Sequence, residues 1–185
     1  MADMTPRLHK YALIVIDMQE EFRPMCEQIL KEVNLTINCC REQRVPIIFT
    51  QHGHRQLLLD AGQLVDHWGS AIKYGSKEWQ LLPELDVQAG DYVLSEKRRY
   101  DAFYGTLLGE ILRKQQVNTV VISGVMTNLC CETTARSAFV RDFRVFFLSN
   151  GTATASENMH KATLLNIGYG FGRVLSCREF RDLLA

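Results

Sequence analysis

Six short apolar runs punctuate this chain: Tyr11–Ile16, 45–50, 92–94, Thr119–Val125, 145–148 and Arg173–Leu175. Runs of this length without an apolar/polar alternation suit strands covered on both faces, which is the situation of a parallel sheet. Amphipathic stretches fill the gaps. Ile29, Leu30, Val33, Ile37 and Cys40 recur at helical spacing between the first two runs, and Leu107, Leu108, Ile111 and Leu112 do so ahead of the fourth. Each run but the third therefore has a crossover helix before it. The pattern predicts an α/β fold, three layers α/β/α, built on a six-stranded parallel sheet. With 185 residues, 46% of them hydrophobic, the chain has apolar mass for one core, so residues 1–185 are read as a single domain.

One stretch breaks the rhythm. Residues 51–90 hold His52, His54, His67, Trp68, Trp79 and several glycines, with only a weak helical patch at 64–72. A segment this long without periodicity is usually a functional loop, because connections in compact domains are short.

Charge excludes some partners. Lys plus Arg number 21 and Asp plus Glu number 21, leaving no basic excess for a nucleic-acid backbone or an anionic membrane. The run at Tyr11–Ile16 is far short of the 18 or more residues of a spanning helix, and residues 1–10 carry no apolar stretch of export type. A cytoplasmic location is expected. Four of the six cysteines are sequence neighbours, Cys39-Cys40 and Cys130-Cys131, a spacing unsuited to mutual bridging, so reduced thiols are expected.

Ligands of open parallel sheets bind beyond the carboxyl ends of the strands, which directs attention to polar residues just past each apolar run. Asp17 directly follows the first run, Lys97 lies three residues beyond Leu94, and Cys130 opens a helix expected to reach about Arg141. A thiol at a helix N-terminus, beside an ammonium, has its thiolate stabilised and becomes a working nucleophile. Asp17 then serves as general base and acid. Taken singly, each residue has a bland reading: a turn cap, a surface lysine, a small buried hydrophobe. Between the paired cysteines, Cys131 falls on a stripe with Ala135, Ala138 and Phe139 that faces the sheet. Cys130 is turned about 100° from it, toward the strand ends.

These residues resemble the isochorismatase-like (cysteine hydrolase) superfamily. The likeness runs through Val15-Ile16-Asp17-Met18-Gln19 with Phe22, Phe49-Thr50-Gln51-His52, Lys97 with Tyr100-Asp101-Ala102-Phe103 and Gly105-Thr106, and Ser123-Gly124-Val125 through Cys130-Cys131-Glu132-Thr133-Thr134-Ala135-Arg136. It implies a triad of Asp17, Lys97 and Cys130, a cis peptide at Val125–Met126, and an oxyanion hole formed by that bond together with the backbone N–H of Cys130. Phe22, His52, His54, Trp68, Tyr100 and Phe103 are the candidate substrate-pocket residues. Nicotinamidases of the family carry Asp-x-His plus a further histidine as metal ligands after the second strand. Here the pair is His52-Gly53-His54, with His67 as the candidate third ligand, and no zinc, other metal or cofactor is expected. The resemblance also implies a homo-oligomer.

A complete Asp-Lys-Cys set suits hydrolysis of a small carboxamide, carbamoyl or ureido compound through a thioester. The alternatives are vinyl ether hydrolysis of isochorismate type, in which aspartate protonation suffices, and a thiol-bearing scaffold that turns nothing over.

Overall fold

The computed structural model describes residues 9–185. Its elements run β1 (Tyr11–Ile16), α1 (Arg23–Glu42), β2 (Ile47–His52), α2 (Leu57–Asp60), α3 (Gln63–Trp68), β3 (Tyr92–Lys97), α4 (Leu108–Lys114) and β4 (Thr119–Val125). A π-helical turn, Thr127–Cys131, then leads into α5 (Glu132–Phe139), β5 (Arg144–Ala153), α6 (Glu157–Gly170), β6 (Arg173–Leu175) and α7 (Cys177–Leu184). The first eight of residues 1–10, read above for an export signal, lie outside the described residues. No helix among the described residues is long and apolar enough to cross a membrane.

The six strands form one parallel sheet in the order β3-β2-β1-β4-β5-β6. Strand β1 shows why its sequence is uniformly apolar. Leu13 and Val15 enter a core shared with α1 and α7, while Ala12, Ile14 and Ile16 enter a second core with α4, α5 and α6. Both faces are covered, giving the three expected layers. From β1 the chain winds outward to β2 and β3, then returns to β4 and winds the other way. The carboxyl ends of β1 and β4 therefore flank the topological switch point, where ligands of such sheets bind.

Several boundaries differ from the sequence expectation, each for a local reason. Strand β2 begins at Ile47, not 45, because the Val45 N–H closes the end of α1 on the Cys40 carbonyl. Strand β3 extends through Lys97, which pairs with His52, so Lys97 ends a strand and does not follow one. The patch at 64–72 is helical only to Trp68, where Gly69 adopts a left-handed φ of 73° and stops it. Cys130 does not open its helix, since the helical turn begins at Thr127 and places Cys130 within it. Phe139 leaves the stripe it was assigned to and packs against Phe171, half exposed, whereas Cys131, Ala135 and Ala138 are fully buried.

The sheet is tightest beside the switch point. Gly124 has φ 111°, and a Cβ there would lie 2.1 Å from the Ile16 carbonyl oxygen. Only glycine accommodates both the conformation and the approach of β1. Gly124→Ala is predicted to destabilise the protein by roughly 3 kcal/mol or more, read as a drop in the urea midpoint. A variant as stable as wild type would refute the close packing of β1 on β4.

Candidate active site

Asp17, Lys97 and Cys130 meet beyond the carboxyl ends of β1, β3 and β4. Lys97 Nζ lies 2.5 Å from Asp17 Oδ2 and 3.3 Å from Cys130 Sγ. The Asp17 and Lys97 side chains are fully buried. Asp17 takes up a left-handed φ of 50° as β1 ends, a conformation that short polar residues tolerate better than most. Its other oxygen, Oδ1, accepts the Thr50 hydroxyl at 2.5 Å, and its backbone N–H donates back to Thr50 Oγ1. Thr50 comes from β2, which lies between β1 and β3, so four adjacent elements of the sheet supply the cluster.

The electrostatics correct one expectation. Burial pushes the Cys130 thiol up to about 12; Lys97 pulls it down, and the nearby Asp17 carboxylate pushes it up again. The resting thiol is therefore protonated, contrary to the preformed thiolate inferred from a helix start beside a cation. Burial alone would lower the Lys97 ammonium, but Asp17 and Cys130 outweigh it and its pKa is raised. The assembly is an ion pair with a neutral thiol against it, and a carboxylate within reach of the thiol proton.

Asp17-Met18-Gln19 sends three side chains to three tasks. Asp17 joins the cluster and Met18 enters the core. Gln19 is buried and clamps the neighbouring segments: its Oε1 accepts the His52 N–H at 2.8 Å, while its Nε2 donates to the His52 and Trp79 carbonyls. The irregular segment is thereby fastened to the strand ends beside the ion pair.

A cavity of about 610 Å³ opens onto Cys130, within the size range of small-molecule sites. Of the six residues expected to line it, Phe22, His52, Trp68 and Tyr100 do so. Trp68 Nε1 donates to the Tyr100 hydroxyl at 2.7 Å across the cavity wall. Phe103 does not line it, being buried in the core facing α4 and α5 with its ring 6.0 Å from Phe143. His54 does not either. It is fully buried, with Nδ1 3.2 Å from Asp60 Oδ1. Leu64, Ile72, Met126 and Leu129 complete the apolar wall and were not anticipated. Leu64 and Ile72 sit in the aperiodic segment, where sequence spacing carries no signal for the inward face. The Val125–Met126 peptide, just before the turn that carries Cys130, is cis.

His67 sits on exposed α3 with its ring against Trp68, 4.9 Å between centroids. Among the described residues, no group of three or more His, Cys, Asp or Glu side chains is arranged to hold a metal ion. The His52 and His54 rings lie 5.1 Å apart between centroids, and Asp60 Oδ1 is 3.2 Å from His54 Nδ1; no step below is routed through a metal.

The balance of charges around the thiol makes a prediction. Asp17→Asn removes the group that pushes the thiol up and leaves the pull of Lys97 unopposed. Cys130 should then be alkylated by iodoacetamide at pH 7 at least about tenfold faster, one pKa unit being tenfold in thiolate. Lys97→Met should slow it. Peptide mapping by mass spectrometry reads both, with partly exposed Cys39 as the internal reference. Unchanged or slower labelling in the Asp17 variant would refute the charge balance.

Comparison with known proteins identifies the family. The family model "Isochorismatase domain" matches residues 11–179. Nicotinamidase 3 of Arabidopsis thaliana is 44% identical over 94% of this chain and 88% of its own length. The ureidoacrylate amidohydrolase RutB of Serratia proteamaculans is 28% identical over 94% and 82%. Among solved structures, a cysteine hydrolase from Pseudomonas syringae pv. phaseolicola superposes with a TM-score of 0.89 at 25% identity, covering 95% of this chain and 92% of that one. The chain belongs to the isochorismatase-like cysteine hydrolase superfamily and is a hydrolase of that family.

Proposed function

We propose that the protein hydrolyses the C–N bond of a small, flat carboxamide through a thioester on Cys130. The observation that carries this reading is the contact of the Cys130 thiol with a buried Lys97–Asp17 ion pair at the floor of an apolar cavity. A neutral thiol needs a base at the moment of attack, and Asp17 is placed to be that base. Asp17 accepts the thiol proton as the sulfur attacks the carbonyl carbon. Lys97 offsets the negative charge on sulfur and fixes the carboxylate. The backbone N–H groups of Met126 and Cys130 hold the tetrahedral oxyanion. Asp17 returns the proton to the leaving nitrogen, the C–N bond breaks and ammonia departs. Water activated by the same carboxylate then attacks the thioester, releasing the acid and restoring the thiol.

The apolar part of the wall, Phe22, Leu64, Trp68, Ile72 and Leu129, suits the faces of a planar ring, while Glu21, Lys73 and Glu78 add charged groups to the lining. The 44% identity to a nicotinamidase supports the same choice, so nicotinamide is the substrate to try first.

Ammonia release from nicotinamide is the assay. Cys130→Ala should lower turnover by about a thousandfold or more, since it removes the atom that forms the thioester. Asp17→Asn should fall comparably, with melting temperatures showing both variants folded. If the folded Cys130→Ala protein keeps more than roughly a tenth of the rate while Asp17→Asn is crippled, the thioester mechanism is excluded and direct attack on the amide by water activated at Asp17 takes its place.

A further inference from the structure

The turn that carries Cys130 departs from regular helix pairing. The Met126 carbonyl accepts the N–H groups of both Leu129 and Cys131, at 3.1 and 3.2 Å, the second with the five-residue spacing of a π turn. Such turns are rare, and they recur at functional sites. The two N–H groups assigned above to the oxyanion, those of Met126 and Cys130, belong to this segment, so its shape sets their aim. Support for that shape comes from outside the turn, from α6 and the residues leading into it.

Thr127, the first residue of the turn, is fully buried, and its hydroxyl meets Nδ1 of His160 on α6 at 2.9 Å. Thr154, just ahead of α6, donates its hydroxyl to Asn128 Oδ1 at 2.6 Å. On the other side of Cys130, the Thr163 hydroxyl of α6 donates to Glu132 Oε2 at 2.7 Å. The nucleophile is thus bracketed by bonds to one part of the fold. Of these, the bond from Thr127 to His160 is nearest the oxyanion donors in sequence, since Thr127 directly follows Met126. Burial holds the His160 pKa below its ordinary value, with the Ser149 backbone and the Glu157 carboxylate pulling the other way. The ring is therefore neutral at pH 7, and the bond joins two uncharged groups. His160 does not line the cavity, so whatever it does for the chemistry passes through Thr127.

We propose that His160 is a positioning residue for the reaction: by holding the Thr127 hydroxyl it fixes the turn so that the Met126 and Cys130 N–H groups meet the oxyanion formed as Cys130 attacks. This rests on the thioester reading above and extends it to a residue outside the cavity. Donors to a developing oxyanion must stand about 2.7–3.1 Å from where it forms, whereas the many weak apolar contacts with the rest of a ligand tolerate a small shift of the wall. Loss of the clamp therefore falls on the transition state and largely spares binding of the ground state.

An aldehyde reports on the oxyanion donors without turnover. With pyridine-3-carbaldehyde the Cys130 sulfur bonds to the carbonyl carbon, the π electrons pass to oxygen and the thiol proton passes to Asp17. The matching alcohol, pyridine-3-methanol, offers no carbon to attack. Calorimetry on wild type, Thr127→Val and His160→Leu gives the ratio of the two affinities, and ammonia release from nicotinamide gives kcat and KM. Each variant should lower the aldehyde preference and kcat by at least about tenfold and leave KM and the alcohol affinity within about threefold. Thr127→Ser keeps the hydroxyl and should stay within about twofold of wild type. The double variant should be no worse than either single one and should melt above His160→Leu, since neither partner is left unmet. It carries the same test if a single variant does not fold. Variants that melt lower yet keep the wild-type aldehyde preference and kcat would make the bond a structural one only and overturn the proposal. Equal losses for aldehyde and alcohol would overturn it too. Wild-type protein that releases no ammonia, while a Cys130-dependent aldehyde preference still falls in both variants, would refute the amide reading and leave the positioning role standing. An aldehyde that binds Cys130→Ala as tightly as wild type would refute the thiol nucleophile, and the proposal with it.

Discussion

The ion pair between Lys97 and Asp17 sets the terms for everything around it. Both side chains are fully buried, 2.5 Å apart, and the Asp17 carboxylate has a second donor in Thr50. Two charges held out of water are weak stabilisers, because their attraction does little more than offset the desolvation each has suffered. An apolar pair of the same volume would hold β1, β2 and β3 together as well or better. Breaking the existing pair is another matter, since the survivor is left charged and unpaired at a cost of about 3–5 kcal/mol. The pair therefore imposes mutual dependence on the strand ends without adding much net stability. Its return is chemical: a carboxylate paired with an ammonium and set against a thiol that burial keeps protonated.

The sheet order makes that arrangement possible. The chain reverses its winding between β1 and β4, so the loops leaving these two central strands diverge and leave a crevice at their carboxyl ends. Asp17 and Cys130 enter from its two sides, and Lys97 reaches in from β3 past the end of β2. Gly124 lets β4 press on β1 just below the crevice, where a Cβ would strike the Ile16 carbonyl. The polar cluster thus rests on the most tightly packed part of the sheet.

Much of this was legible in the sequence, for a definable reason. Strands β1, β4 and β6 were bounded correctly because each is an apolar run flanked by polar residues or turn formers. The three reacting residues were found because each stands just past such a run. Thr50 was not, since a threonine inside an apolar run reads as strand filling, and its bond to Asp17 depends on the neighbouring strand. The thiol's protonation was misjudged because it depends on three groups at once. A helix start and a nearby cation argue for a thiolate; burial and the Asp17 carboxylate argue more strongly against it. Phe103 was misplaced because an aromatic residue in a loop beside a site looks the same in sequence whether it turns to the ligand or, as here, into the core beside Phe143.

The division between sheet and irregular segment also separates two design demands. Asp17 and Lys97 sit at strand ends, where backbone pairing holds them to a fraction of an ångström, and Cys130 sits in the helical turn that follows β4. Much of the wall that meets the rest of a ligand comes from residues 64–78, whose backbone is fastened at a few points: Glu20 to Gln80, Glu21 to Glu78, His54 to Ile72 and Tyr74 to His54. Gln19 joins the two, gripping His52 and Trp79 from a position two residues beyond Asp17. A change of sequence in the segment can reshape the cavity without disturbing the ion pair, because the fastening runs through backbone groups and one buried amide. His52 is the exception. It lies on the sheet side of this boundary, locked by strand pairing and by Gln19, yet its ring belongs to the cavity wall.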